Sequence, residues 1–148
     1  MFNKINQWLQ ENVKNEVFLN AGIAKDSVEA VISEASGAVI DVLKSQLDSG
    51  KAKDLMSFFK GKKSEQEVLL KMMVKKYANR LNKYHAVAPA KAEELAKVVI
   101  PVAMKKCIAE TTTDVKQEKG IFALLNWLSG NTVNFENFFL RMDYLQIA

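Results

Sequence analysis

The sequence predicts an all-α fold, a single helical-bundle domain of about six to eight helices, and three observations carry that prediction. Apolar residues recur at three- and four-residue spacing along most of the chain. Alanine, leucine, lysine and glutamate dominate, and threonine is sparse outside Thr111–Thr113, a mix that favours helix over sheet. No run alternates polar and apolar residues between turn signals, as a half-buried strand would.

The elements follow in chain order. Phe2, Ile5, Trp8, Leu9 and Val13 share one face of a first amphipathic helix. A short piece with Val17 and Phe18 ends at Gly22, a natural C-terminal stop. Asp26 and Glu29 have the spacing of a capping box and open a long helix carrying Val28, Val31, Ile32, Ala35, Val39, Val42, Leu43 and Leu47, which stops at Gly50. A short apolar helix with Leu55, Met56, Phe58 and Phe59 stops at Gly61. Ser64 and Glu67 form a second capping box for a helix to about His85.

Pro89 suits the first turn of the next helix, whose inward stripe is Ala92, Leu95, Ala96, Val99, Val102, Ala103 and Cys107. Pro101 falls inside that helix, where it removes one backbone bond and forces a kink costing about 3 kcal/mol. Thr111–Thr113 break the helix, and Asp114 offers a cap for another through Ile121, Phe122, Leu124, Leu125, Trp127 and Leu128 to Gly130. Asn134 is the expected cap of a last helix bearing Phe135, Phe138, Phe139 and Met142.

A chain of 148 residues suits one domain, residues 1–148, and buries enough surface to need no disulfide or metal staple. Cys107 is the only cysteine, so no intrachain disulfide can form and nothing points to an oxidising compartment. The first residues lack the continuous apolar run of a signal peptide, and no stretch approaches 18 apolar residues. A cytoplasmic protein without a membrane span is expected.

Two segments share an outline. Shifted by 64 positions, Ile23 falls on Val87, Ala24 on Ala88, Val31 on Leu95, Ala35 on Val99, Val39 on Ala103 and Leu43 on Cys107. Val13 and Val17 likewise meet Tyr77 and Leu81. After five extra residues around 111–119 the shift becomes 69, and Leu55, Met56, Phe58, Phe59 and Gly61 meet Leu124, Leu125, Trp127, Leu128 and Gly130. The expectation is an internal duplication, with residues 15–61 as one unit and 77–130 as the other, packed about a pseudo-twofold axis. Each unit has an apolar face it cannot bury alone. Phe58 and Trp127 are expected in equivalent buried places.

The stretches "GIAKDSVEAVISEASGAVIDVLKSQL" and "AKVVIPVAMKKCIAE" resemble the YidB-like helical proteins, a bacterial domain family of unknown function. In that family the long helix often holds a proline within an apolar run, as Pro101 stands here, and a short Leu/Gly-rich helix follows. This chain lacks the family's glycine-rich segments. The resemblance covers about residues 15–130 and implies an all-helical bacterial domain with no known activity.

Chemistry-bearing patterns are few. "GKAKD" from Gly50 and "GKKS" from Gly61 lack the spacing of a phosphate-binding loop. His85 and Cys107 are too few for a zinc site, and Cys107 lies on the inward stripe, where a thiol acts as a small hydrophobe. Paired carboxylates such as Glu93–Glu94 read as solvated helix faces. No catalytic residue, cofactor or metal ligand is predicted, and an enzyme is not the expected class.

The sharpest feature is charge. Residues 60–83 hold eight cations against Glu65 and Glu67, leaving +6 in a chain of net charge +4. By 100° spacing, Leu70, Val74, Tyr77, Leu81 and Tyr84 face inward, with cations across the other side. Lys60, Lys62, Lys63, Lys75, Lys76, Arg80 and Lys83 form the candidate surface for an anion or an acidic partner. A solvated face is the plainer reading, and nucleic acid is not the expected partner because no stacking aromatic or base-reading motif accompanies the charge. Val68, Leu69 and Met72 point toward the basic side, to be covered by the N-terminal helix with Trp8 or by a second copy of the chain. The expectation is a non-enzymatic interaction or structural module, acting on an unknown protein partner or as a homodimer. The alternative is weak, nonspecific binding of nucleic acid or an acidic partner through residues 60–83.

Overall fold

A computed structural model of the chain describes residues 2–112, 117–132 and 134. Its helices are α1 (Phe2–Asn12), α2 (Asn15–Asn20), α3 (Val28–Asp48), α4 (Ala52–Phe59), α5 (Lys63–His85), α6 (Pro89–Thr112) and α7 (Gln117–Leu128), with a 3-10 turn at Lys25–Ser27 before α3. No strand occurs among the described residues. The all-α single-domain bundle expected from periodicity is the fold observed. The last predicted helix and the cap at Asp114 lie outside the described residues.

The two long helices α3 and α6 pack on each other and form the centre. α3 also meets α1, α4, α5 and α7, and α6 meets the same four. The stripe Val31, Ile32, Ala35, Val39 and Leu43 is buried on α3, and Leu95, Ala96, Val99, Ala103 and Cys107 are buried on α6. These are the residues that the spacing placed inward. Pro101 lies within α6, which continues to Thr112. Val99, Ile100 and Ala103 are buried around it, so packing holds the helix where one backbone bond is missing.

Several packing contacts correspond between the two halves, although α4 meets α5 with no matching contact of α7 on α1 of similar extent. Exchanging α1 with α5, α3 with α6 and α4 with α7 carries the α1–α3 contact onto α5–α6 and the α1–α6 contact onto α5–α3. It likewise carries α3–α4 onto α6–α7 and α3–α7 onto α6–α4. The glycine stops share their backbone bonding, although Asn131 after Gly130 adopts positive φ and Lys62 after Gly61 is extended. Gly61 and Gly130 both adopt positive φ, 95° and 71°. The Lys62 amide donates to the Ser57 carbonyl at 3.0 Å and the Asn131 amide to the Asn126 carbonyl at 2.8 Å, the long bond of a Schellman turn.

Several local expectations are corrected. Phe58 is fully buried, its ring meeting Phe59 edge-on at 4.9 Å between centroids, whereas Trp127 is 45% exposed. Equivalent chain positions therefore have different cover, since α5 packs on α4. Neither capping box forms. α3 starts after the 3-10 turn with no side-chain cap on Ser27, and α5 starts at Lys63 with none on Lys62. Gln66 instead reaches back, its Nε2 donating to the Phe58 carbonyl at 3.2 Å, which ties the start of α5 to the end of α4.

The inward face of α5 is also turned from the expected one. Leu69, Met73, Tyr77 and Leu81 are buried, Leu70 and Val74 only half-buried, and Tyr84 exposed. Val68 is exposed and Met72 partly so, its sulfur accepting from Gln46 Nε2 on α3 at 3.7 Å, because α1 packs on α3 and α6 and does not cover them. The start of α5 is apolar nearly all round, so its own pattern offers two adjacent stripes. Contact with α3 and α6 selects one.

Candidate surface on helix 5

The α5 helix lies against both α3 and α6. Buried Tyr77 pins it to α3, its hydroxyl donating to the Val31 carbonyl at 2.9 Å. Burial pushes that phenol well above its ordinary range, with the Glu34 charge acting in the same direction, so Tyr77 is a neutral structural donor.

The predicted cations divide into three groups. Lys60, Lys62 and Lys63 are exposed at the α4–α5 junction. Lys75 and Lys83 are exposed along the helix, Lys83 lying 5.4 Å from the centre of the Tyr84 ring. Lys76 and Arg80 are half-buried on the α3 side. Arg80 is not a free cation. Its Nη2 donates to Asp41 Oδ2 at 2.5 Å, and its Nε lies 3.9 Å from Glu34 Oε1. The guanidinium lies over Gly37, where a Cβ would stand in ordinary contact with Arg80 Nη1 at 3.5 Å. Sequence neighbours of Arg80 offer no acid, but one turn of α3 to either side of Gly37 does. Arg80 therefore drops out of the candidate surface.

About 20 residues separate Lys63 from Lys83, roughly 30 Å of helix, so the seven predicted residues do not converge on one site. A smaller feature does converge. Between α5 and α6 runs a groove of about 760 Å³, lined on α5 by Leu70, Val74 and Ala78 and by Lys71, Lys75 and Asn79. Across it on α6 stand Glu93 and Lys97, paired with each other at 3.1 Å. Lys71 and Lys75 form no ion pair among the described residues. Two interleaved rows at four-residue spacing, one aliphatic and one polar, were readable in the sequence. That α6 leaves the aliphatic row only half-covered was not.

The reactive candidates are core or surface fixtures. Cys107 is fully buried, and burial pushes its thiol up to about 12, which removes the thiolate needed for nucleophilic work. His85 Nε2 lies 3.8 Å from Glu34 Oε2 at the end of α5. At the far end of α6, Glu110 accepts from Lys106 at 2.8 Å and Lys4 at 3.1 Å, which holds its carboxyl below the usual range. Lys106 also lies 4.7 Å from the centre of the Trp8 ring. This cluster fastens α1 to α6. No group of three or more metal-ligating side chains occurs among the described residues, and no described helix is long and apolar enough to cross a membrane. Compared with known proteins, the chain matches no family model, no curated protein and no solved structure.

Proposed function

We propose that this chain is a non-enzymatic helical interaction module of the bacterial cytoplasm, built from two copies of a helix–long helix–short helix unit. The observation that carries the interaction reading is the α5 surface. It sets Lys71 and Lys75, which form no ion pair among the described residues, beside a half-buried aliphatic row, while the neighbouring Arg80 is neutralised by α3. A face that serves only solubility needs no apolar row within it.

Affinity capture from the native cell tests the reading. The tagged chain should retain the same protein after nuclease treatment and after a wash at high salt. Recovery of nothing above an unrelated helical control would overturn it. Weak, nonspecific binding to nucleic acid is the second reading, supported by the +6 balance of residues 60–83. Binding to duplex DNA that falls steeply with salt would favour it.

Corresponding buried stripes on α3 and α6 and the positive-φ glycine turns at Gly61 and Gly130 support the two-unit reading. Grafting residues 52–62 in place of 121–131 should then leave a cooperatively folding helical chain. A molten product would count against equivalence of the two short helices.

A further inference from the structure

We infer that the α5–α6 groove receives an amphipathic helix of a partner protein whose flank is acidic. The inference rests on the interaction-module reading. Leu70, Val74 and Ala78 follow one another at four-residue spacing and stay half-buried, so they form an apolar strip available to a partner. From Leu70 to Asn82 the groove spans about 18 Å, a little over three helical turns. An incoming helix supplies matching apolar residues at three- and four-residue spacing along such a length. A small molecule would be poorly enclosed here, since ligand pockets bury most of their ligand's surface and this strip remains partly in water.

Charge decides the partner's flank. On the α5 side, Lys71 and Lys75 point no charge at any described acid. On the α6 side, Glu93 and Lys97 cancel each other. The groove is therefore positive along one rim and neutral along the other. A helix with glutamates on one flank meets both rims favourably, and one with lysines there faces uncompensated like charge. Asn79, exposed at the end of the polar row, adds an amide that can bond to either a carboxylate or a backbone carbonyl.

Two designed 14-residue peptides test the proposal on the intact chain. Both carry leucines at three- and four-residue spacing, one with a glutamate flank and one with a lysine flank. The acidic peptide should shift the amide resonances of Leu70, Val74, Ala78 and Lys97, and the basic peptide should not. Lys71→Glu with Lys75→Glu should weaken the acidic peptide about tenfold or more. Lys71→Gln with Lys75→Gln should act in the same direction should the reversed pair fold poorly by circular dichroism. Equal binding of both peptides, shifts confined to another surface, no shifts at all, or the same shifts from dodecanoate would overturn the proposal. Concentration-dependent broadening of the same resonances without peptide would assign the groove to a second copy instead. Capture of a protein from the cell together with a failed peptide test would sink this occupant and leave the module reading standing.

Discussion

Replacing Arg80 by glutamate separates the two kinds of cation on α5. Arg80 is about three-quarters buried, its side chain 23% exposed, and it bonds Asp41 while standing near Glu34. Two partly exposed ion pairs of this kind are worth a few tenths to about 1 kcal/mol each. Reversal loses both and places a third carboxylate against α3, so the expected destabilisation is about 1–2 kcal/mol. For a chain of this size that lowers the melting temperature by roughly 2–8 °C. Lys75→Glu, made five residues earlier on an exposed position with no ion pair among the described residues, should change stability by no more than about 0.5 kcal/mol. Urea unfolding followed by circular dichroism reads both. Raising the ionic strength toward 1 M should narrow the Arg80→Glu loss, because screening then acts within about 3 Å. Arg80→Met, which keeps the aliphatic stem, should recover part of the loss. Equal unfolding midpoints for Arg80→Glu and Lys75→Glu would refute the account, and Arg80 would rejoin the free cations.

Phe58→Ala should cost about 3–5 kcal/mol in the same unfolding assay, and Trp127→Ala about half of that or less, because Trp127 already has much of its surface in water. Equal losses would mean that both are core residues. Cys107 should resist a thiol reagent at neutral pH in the folded chain and react once urea unfolds it, and modification at the rate of a free thiol would contradict its burial. Glu110 gains stability as a carboxylate, being held below its ordinary range by Lys106 and Lys4. Its contribution is full above the usual carboxylate range and fades as pH falls through it, so Glu110→Gln should destabilise at neutral pH and become indistinguishable from the wild type in acid. A gap between the two that persists in acid would place the effect in packing and not in charge.

The sequence by itself determined the helical class, the order of the elements and most of the core. Those properties follow from local periodicity and from glycine and proline stops, which each segment carries within its own residues. The inward stripes of α3 and α6, the buried thiol of Cys107 and the stops at Gly61 and Gly130 were readable for that reason. Tertiary structure alone decided what lies across from a segment. The 68–74 run offers two apolar stripes of similar quality, and only contact with α3 and α6 selects Leu69 and Met73 over Leu70 and Val74. Arg80 looked free because its acids stand on α3, some forty residues away in the chain. Phe58 and Trp127 occupy matching chain positions, but the helix that packs on α4 covers one and leaves the other in water. A repeated pattern specifies which residues can be buried, and the neighbouring helices determine which of them are.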